Sequence, residues 1–358
     1  MTRLAALSQG RNNNLNLIRF VAAAAVLVSH AWPMVEGPGT TEPLEEMVGH
    51  SLGTLAVFVF FVISGFLITA SFQRSSSRTS FILSRLLRLF PALLVNLLFV
   101  ALLLGPVVTT IGARAYFASG EPFLFVMRDL ALFPLMYELP GVFVGQPIEA
   151  VVGSIWTLRH EVLCYAGVFA AGVLGFFTTR ERSAALLGLY AVIWFAVTLS
   201  PVEVPGTIAA FHRLSVPYAI GVAFWIWREQ IPLSSWALVP MILLAFILAD
   251  TLFAFPAFIF VLAYATFVFA YLPGGTILRF NELGDYSYGM YVYAFPIQGL
   301  AVYLFGAQTP LQNIAYSMPA TLLLAIVSWH SIEAPAMAAK PRVLSRACLG
   351  ASLQRGSP

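Results

Sequence analysis

The sequence contains ten largely apolar runs of about 20 residues, and this pattern limits the possible folds more than any other feature. A helix of about 20 apolar residues is long enough to cross a bilayer. The runs cover residues 17–35, 50–72, 86–108, 152–177, 184–200, 207–227, 235–252, 256–272, 284–306 and 312–332. Composition agrees, because 59% of the 358 residues are hydrophobic and 10% are charged, whereas soluble domains carry about 25% charged residues. We therefore expect an all-α, polytopic membrane bundle of about ten transmembrane helices.

The distribution of basic residues predicts that both termini are cytoplasmic. With the N-terminus inside, only Arg114 and Arg128 fall in external loops. The fifteen basic residues in cytoplasmic segments are Arg3, Arg11, Arg19, Arg74, Arg78, Arg85, Arg88, Arg180, Arg182, Arg228, Arg279, Lys340, Arg342, Arg346 and Arg355. Residues 112–149 are interrupted by charges, and we expect an external loop with an interfacial helix there. We assign residues 1–340 to the membrane domain and residues 341–358 to a short, basic, disordered cytoplasmic tail.

Several other classes of protein receive no support from the sequence. No basic run interleaved with aromatic residues suggests a nucleic-acid surface, so we expect no nucleic-acid partner. No metal-ligand spacing, haem motif or nucleotide-binding loop is present, and we expect no metal. A cleaved signal peptide is an alternative for the first run, but cleavage would remove Arg19 and His30, and the apolar run continues past any cleavage point.

Ionisable residues inside the apolar runs are the first candidates for a site, because each costs about 2.5 to 3.5 kcal/mol at the centre of a membrane helix. Arg19 and His30 are eleven residues apart. That spacing is three helical turns plus about 20°, so both side chains lie on one face with a rise of roughly 16 Å between them. The alternatives are an arginine that extends to the cytoplasmic interface and a histidine that is bonded to a neighbouring helix.

The segment 156–165, WTLRHEVLCY, holds a second group of polar residues within a run. Helical spacing places Thr157, Glu161 and Tyr165 on one face, while Arg159 points elsewhere. Glu161 is therefore the candidate that faces inward. It either pairs with a cation such as Arg159, or it orients the imidazole of His30 and stabilises its protonated form.

Two further groups of cations lie at the ends of runs. Arg85 and Arg88 are one turn apart at the cytoplasmic start of the third run, a spacing that suits a bidentate phosphate clamp. They are also ordinary cytoplasmic arginines under the positive-inside rule. Near the external end of the sixth run, Arg213 either holds a sugar hydroxyl or carboxylate, or pairs with Glu203.

Six segments, taken in order, resemble the acyltransferase-3 family of bacterial inner-membrane O-acyltransferases, which includes exopolysaccharide and lipopolysaccharide O-acetyltransferases. The resemblance spans roughly residues 12–340. The segments are NLIRFVAAAAVLVSHAWP from Asn16, FFVISGFLIT at 60–69, SRLLRLFP from Ser84, WTLRHEVLCY at 156–165, GDYSYGMYVYAFP at 284–296 and WHSIEAP at 329–335. The chain departs from the common pattern at Ala294, where many members have histidine, so that histidine cannot be required here.

The resemblance implies transfer of an acyl group, most often acetyl, from cytoplasmic acyl-CoA to a sugar hydroxyl. His30 then looks like the catalytic base, and Glu161 matches the acidic position of the fourth motif. Arg19, Arg85 and Arg88 match the family's arginines and would bind acyl-CoA, with the phosphates a natural target for the doublet. Candidate contacts for the acceptor are Trp156, Arg159, Arg213 and Asp285, and Asp285 is an alternative counter-ion for the imidazolium.

We therefore expect a multi-pass O-acyltransferase of the bacterial inner membrane that acts on a cell-surface or lipid-linked glycan. A transporter or flippase of a polar or lipid-linked substrate, and a structural subunit of a polysaccharide assembly complex, are the alternatives. Direct transfer with His30 as base is expected, with a covalent acyl-histidine as the other possibility. Ser64, Ser287 and Cys164 are weaker nucleophile candidates, because no base is visible beside them in the sequence. The sequence leaves the oligomeric state open.

Overall fold

Most of the structure is helical, and a helix lies at each of the ten predicted apolar runs. A computed structural model describes residues 2–10, 12–306 and 309–345. It is 74% helical, as the apolar runs predict. The long helices are α1 (Leu15–Glu36), α2 (Leu52–Arg74), α3 (Arg78–Leu98), α4 (Trp156–Val173), α5 (Arg180–Thr198), α6 (Gly206–Ile226), α7 (Leu238–Ile247), α8 (Ala254–Tyr271), α9 (Ser287–Phe305) and α10 (Pro310–Ser328).

Six helices in the described ranges are long and apolar enough to cross a membrane. They are α1, α2, α5, α8, the continuous helix Arg78–Val108 that begins with α3, and Pro310–Ser345, which begins with α10. Of the other four, α7 has only ten residues, and α4, α6 and α9 carry charged residues or several tyrosines within their length. Length and composition therefore indicate a multi-pass membrane protein in which six described helices meet both criteria, and the count of ten membrane-crossing helices stays a prediction.

The remaining elements are short. Two antiparallel strands, β1 (Thr2–Arg3) and β2 (Pro232–Leu233), pair near the N-terminus. The short α-helices are Leu4–Leu7, Glu45–Val48, Gly105–Val108, Ala113–Ala118, Glu121–Leu130 and Ala334–Ala338; the 3₁₀ turns are Gly153–Ile155, Ser235–Ala237 and Gly275–Glu282; the π-helical turns are Phe99–Leu104 and Trp329–Glu333. The predicted disordered tail lies largely outside the described residues, beyond Ser345.

The 112–149 segment contains no helix long enough to span, in agreement with the sequence. Asp129, in the second of its two helices, is fully buried. Its Oδ1 accepts a hydrogen bond from the backbone N–H of Met136 at 2.7 Å. Its Oδ2 has no hydrogen-bond partner among the described residues, and burial raises the pKa of this carboxyl to about 7.

The chain divides into two compact units. The first comprises the N-terminal residues through Ala22, Thr54–Arg74 and Thr157–Gly284. Two glycines let its helices α2 and α6 approach closely: a Cβ on Gly65 would overlap the carbonyl oxygen of Tyr218, and a Cβ on Gly221 would overlap that of Val62. Small residues of this kind allow tight helix contact within a membrane.

The second unit comprises Ala23–Gly53, Ser75–Trp156 and the chain from Asp285 onwards. Helices α9 and α10 form its antiparallel pair, in which Gly289 packs against the backbone of Ala325. In the wide turn Phe99–Leu104, the carbonyl of Ala101 accepts a hydrogen bond from the hydroxyl of Tyr116 at 2.9 Å. A side chain thus satisfies a carbonyl in a turn where regular helical bonding changes.

Candidate active site

His30 lies in α1, and aromatic packing fixes its ring. The ring meets that of Phe295 edge-on, with centroids 5.7 Å apart. Phe295 is itself pressed against Gly153, where a Cβ would overlap its ring. Nδ1 of His30 is buried and has no hydrogen-bond partner among the described residues. The imidazole is therefore held by packing, while one ring nitrogen is left for a proton, a water molecule or a substrate group.

A buried amide locks the backbone one turn before His30. The side chain of Gln298 donates hydrogen bonds to the carbonyl of Leu27 at 2.9 Å and to Oδ1 of Asn313 at 3.2 Å. Asn313 in turn donates to the backbone carbonyl of Gln298. Because Gln298 and Asn313 are both fully buried, these bonds tie α1, α9 and α10 together at the level of the histidine.

The residue immediately before His30 ties α1 to the loop that follows it. The buried hydroxyl of Ser29 donates to Glu42 and accepts from the backbone N–H of Gly53 at 2.8 Å. Burial raises the pKa of Glu42, and the hydrogen bonds from Ser29 and Ser51 partly oppose that rise. The loop thus places the carboxyl group of Glu42 in contact with the residue that precedes the candidate base.

Arg19 lies on the same continuous helix as His30, as the spacing predicts. Its side chain is partly exposed. Arg19 belongs to the first unit, whereas His30 belongs to the second.

Glu161 makes the same-face contact that the helical spacing predicts. Its Oε1 accepts hydrogen bonds from the hydroxyl of Tyr165, four residues along α4, and from the hydroxyl of Ser64 in α2 at 2.8 Å. The neighbouring His160 turns away and bonds the carbonyl of Thr207 at 3.3 Å. Glu161 is thus an anchored carboxylate within the first unit, and its pairing with His30 stays a prediction.

Arg88 lies between two carboxylates in the second unit. Its guanidinium contacts Asp285 at 2.5 Å and Glu333 at 3.3 Å. Glu333 is 1% exposed and Arg88 is 13% exposed. Asp285, expected to contact the acceptor or to balance His30, is therefore engaged by Arg88. A phosphate that binds Arg88 would have to compete with these two acids or share the guanidinium with them.

Hydroxyl groups and aromatic rings complete this cluster. Ser287 donates to Asp285 at 2.5 Å, and Ser328 donates to Glu333 at 3.0 Å. The guanidinium carbon of Arg88 lies 5.8 Å from the ring centroid of Tyr288 and 5.7 Å from that of Trp329. Glu333 ends the π-helical turn Trp329–Glu333, and such turns often mark functional sites.

The other sequence candidates have more separate surroundings. Arg213 lies over the ring of Phe58, with its guanidinium carbon 5.4 Å from the centroid. His212, its neighbour, stacks on Trp194 at 4.7 Å. Trp156, Arg159 and Arg85 are each at least partly exposed.

Among the residues of these clusters, the sequence analysis did not single out Phe295, Gln298 or Glu333. It named Ser64 only as a weak nucleophile candidate, whereas the hydroxyl of Ser64 donates to Glu161. Phe295 and Glu333 lie in motifs that carry the family resemblance. An acid that directly follows a largely apolar run, as Glu333 does, was the available sign that Glu333 has a cationic partner.

Comparison with known proteins gives consistent matches across nearly the whole chain. The profile of the acyltransferase-3 family, described as an acyltransferase domain, matches residues 12–330. Nodulation protein 10 of Rhizobium leguminosarum bv. viciae is 28% identical over 367 aligned residues, covering 95% of this chain and 97% of that protein. An O-acetyl transferase of Shigella phage Sf6 is 26% identical over 337 residues, covering 90% and 95% respectively. No solved structure matches.

Proposed function

We propose that this chain, which belongs to the acyltransferase-3 family and is an O-acetyltransferase-like enzyme, transfers an acyl group from cytoplasmic acyl-CoA to a glycan hydroxyl. The acyl group is most often acetyl, and the glycan is a cell-surface or lipid-linked one. The observation that carries this proposal is the environment of His30. An imidazole with a buried, unpartnered Nδ1 among the described residues, in the first membrane helix of an acyltransferase, suits a general base.

In the proposed reaction, His30 accepts the proton of the acceptor hydroxyl as the oxygen attacks the thioester carbonyl carbon. The carbon–sulfur bond then breaks, an ester forms, and the imidazolium returns its proton to the CoA thiolate. An anionic partner stabilises the imidazolium, and we assign that role to Glu161. The reaction as written uses no metal ion.

For the donor, we assign the binding of acyl-CoA to Arg19, Arg85 and Arg88. Guanidinium groups match the geometry of phosphate oxygens. We assign acceptor contacts to Trp156, Arg159 and Arg213. The contacts of Arg88 with two carboxylates imply that Arg19 and Arg85 contribute more to phosphate binding than Arg88 does.

The proposed arrangement places ten membrane-crossing helices in a bacterial inner membrane, with both termini in the cytoplasm. Helices at all ten predicted runs and the fifteen-to-two distribution of basic residues support it. In this orientation the cytoplasmic arginines lie on the donor side and His30 lies in the outer half of the membrane.

The test is complementation of a strain that lacks the gene. The acyl content of surface glycans, measured by mass spectrometry, is compared for the wild type, His30→Ala and His330→Ala. We expect the wild type and His330→Ala to restore the acyl mass increment and His30→Ala to lose it. His330 is a suitable control because it is exposed and bonds the hydroxyl of Tyr286.

Membrane amounts of each variant are measured in parallel by immunoblot. Full restoration by His30→Ala would exclude this histidine as the base. Membranes supplied with isotopically labelled acetyl-CoA would then show whether the donor proposal stands independently, because label in the glycan requires that donor.

A further inference from the structure

A second group of arginines, outside the proposed active site, lies at one end of the first unit. Arg74 ends α2, Arg228 follows α6, and Arg180 begins α5. The positive-inside rule places all three on the cytoplasmic side. That rule explains their side of the membrane but not their convergence.

Arg74 and Arg228 converge on a single buried indole ring. The guanidinium carbon of Arg228 lies 3.9 Å from the ring centroid of Trp225, and that of Arg74 lies 4.9 Å from it. The ring is fixed because Trp225 is 3% exposed and its Nε1 donates to Oε1 of Gln73 at 2.8 Å. An aromatic ring can hold two like charges side by side through cation–π attraction.

The backbone fixes Arg228 as well. Its carbonyl accepts a hydrogen bond from the N–H of Ala5 at 2.9 Å, next to the paired strands β1 and β2. Its side chain donates to the carbonyl of Trp225 at 2.7 Å. The arginine therefore needs little further ordering to bind a ligand.

Acidic groups do not balance this cluster. Among the described residues, Arg74 and Arg228 form no ion pair, and Glu229 pairs with Arg180 instead. Burial lowers the pKa of Arg228; Glu229 opposes that effect, and the nearby charges of Arg74 and Arg180 add to it. Glu181, beside Arg180, is the other acid nearby.

We propose that Arg74 and Arg228, held on Trp225, form a binding site for the phosphate group of an anionic ligand at the cytoplasmic face. Two guanidinium groups on one ring, with excess positive charge, match the oxygens of a phosphate ester or diester. Such a group comes either from a soluble phosphate ester, such as the diphosphate of CoA, or from the headgroup of an anionic phospholipid. The site does not depend on acyl transfer.

Binding to the purified full-length protein tests the proposal. The soluble probes are CoA and inorganic pyrophosphate, titrated calorimetrically in neutral detergent. The lipid probe is phosphatidylglycerol in phosphatidylcholine nanodiscs, quantified by mass spectrometry of the lipid retained. The wild type is compared with the double variant Arg74→Gln/Arg228→Gln and with the control Arg182→Gln. The control also removes a cytoplasmic arginine, but the guanidinium of Arg182 contacts Thr178.

If the ligand is a soluble phosphate ester, the binding event at this site should be at least about tenfold weaker for CoA and pyrophosphate in the double variant, the size expected for one lost charge-assisted hydrogen bond. CoA binding by Arg19, Arg85 and Arg88 should remain as a separate event. Arg182→Gln should change little. A lipid headgroup predicts instead that the double variant loses its enrichment of phosphatidylglycerol while soluble probes bind unchanged. Either result supports the site and identifies the source of the phosphate.

The proposal would be overturned if the double variant bound every probe as strongly as Arg182→Gln and the wild type do. It would also be overturned if the wild type bound none of the probes. If the glutamine variant does not fold, Arg74→Lys/Arg228→Lys decides the question. Lysine keeps the charge but loses the bidentate fork, so binding should weaken at least about threefold, and wild-type affinity would overturn the proposal. Because no acyl transfer is measured, this result is independent of the function proposed above.

Discussion

The protein uses arginine in two opposite ways, and the two clusters show what decides between them. Arg88 in the second unit is 13% exposed and contacts two carboxylates. Arg74 and Arg228 in the first unit share an indole and form no ion pair with any described residue. A buried guanidinium needs acids to offset the cost of its desolvation. A guanidinium that keeps some contact with solvent loses less hydration, and an aromatic ring is sufficient to hold it in place. The first cluster should therefore stabilise the fold, and the second should be available to a ligand.

The largest expected effect comes from breaking the balanced cluster. Arg88→Ala leaves Asp285 and Glu333 next to each other without a cation. Removing one partner of a buried ion pair typically costs about 3 to 5 kcal/mol, and we expect a loss of that order in thermal unfolding in detergent. Arg78→Ala, an exposed position on the same helix, is the control and should be nearly neutral.

A neutral version of the cluster distinguishes charge balance from phosphate binding. In Arg88→Met/Asp285→Asn/Glu333→Gln, no buried charge is left alone, so most of the lost stability should return. If Arg88→Ala unfolds like the wild type but loses affinity for acyl-CoA, then ligand binding rather than charge balance is the main role of Arg88, and the proposed difference between the two clusters is wrong.

The next effect concerns Asp129, a buried carboxyl for which neither a cation nor a ligand is evident among the described residues. Its pKa of about 7 lies above its ordinary value of about 4, so the folded protein retains a proton that the unfolded chain releases. The free energy of unfolding should therefore fall as pH rises from about 4 to 7, by no more than about 4 kcal/mol, and level off above that range.

Unfolding of the wild type and Asp129→Asn across this range measures the effect. The variant keeps an oxygen for the Met136 N–H and should show a flatter profile. Identical profiles would mean that Asp129 does not carry the pH dependence.

A smaller effect is expected from a hydroxyl that supports the balanced cluster. Ser287 is fully buried and donates to Asp285. Ser287→Ala should cost about 1 to 2 kcal/mol in the same unfolding assay, because the carboxylate loses a donor that water cannot easily replace. Ser84→Ala, whose hydroxyl bonds the backbone carbonyl of Ser80, should cost less. An equal cost would show that the bond from Ser287 to Asp285 contributes no more than an ordinary hydrogen bond to the backbone.

The smallest effect is expected at the exposed cluster. Arg74→Gln and Arg228→Gln should each change the free energy of unfolding by less than about 1 kcal/mol, since exposed cation–π contacts contribute little. The same unfolding assay measures this. A loss as large as that of Arg88→Ala would remove the distinction between the two clusters.

Local patterns in the sequence were sufficient to predict the helices and the contacts within them. The apolar runs located a helix at each predicted position, and the four-residue spacing predicted the meeting of Glu161 and Tyr165. Such contacts depend only on the period of the helix. The comparisons confirmed the family resemblance, and they also confirmed the expectation that the protein is an O-acetyltransferase-like enzyme.

Contacts between distant segments could not be read in this way. Asp285 lies 197 residues from Arg88 and Glu333 lies 245 residues from it, so no spacing rule connects them. The support of His30 by Phe295 and Gln298 has the same origin, because it depends on how α9 packs against α1. Four of the ten predicted spans do not meet both criteria for a membrane crossing, because polar residues in α4, α6 and α9 lower their hydropathy and α7 is short; the count of ten stays a prediction.

The continuous helix Arg78–Val108 is longer than the membrane is thick. Its 31 residues measure about 46 Å, whereas the hydrocarbon layer is about 30 Å thick. The twenty residues after Arg88 are enough to cross that layer, so the first three turns project to the depth of the lipid headgroups. Arg78, Arg85 and Arg88 all lie on this projecting part. The helix is thus a membrane crossing with a charged arm, and bilayer thickness sets how far that arm extends beyond the hydrocarbon layer.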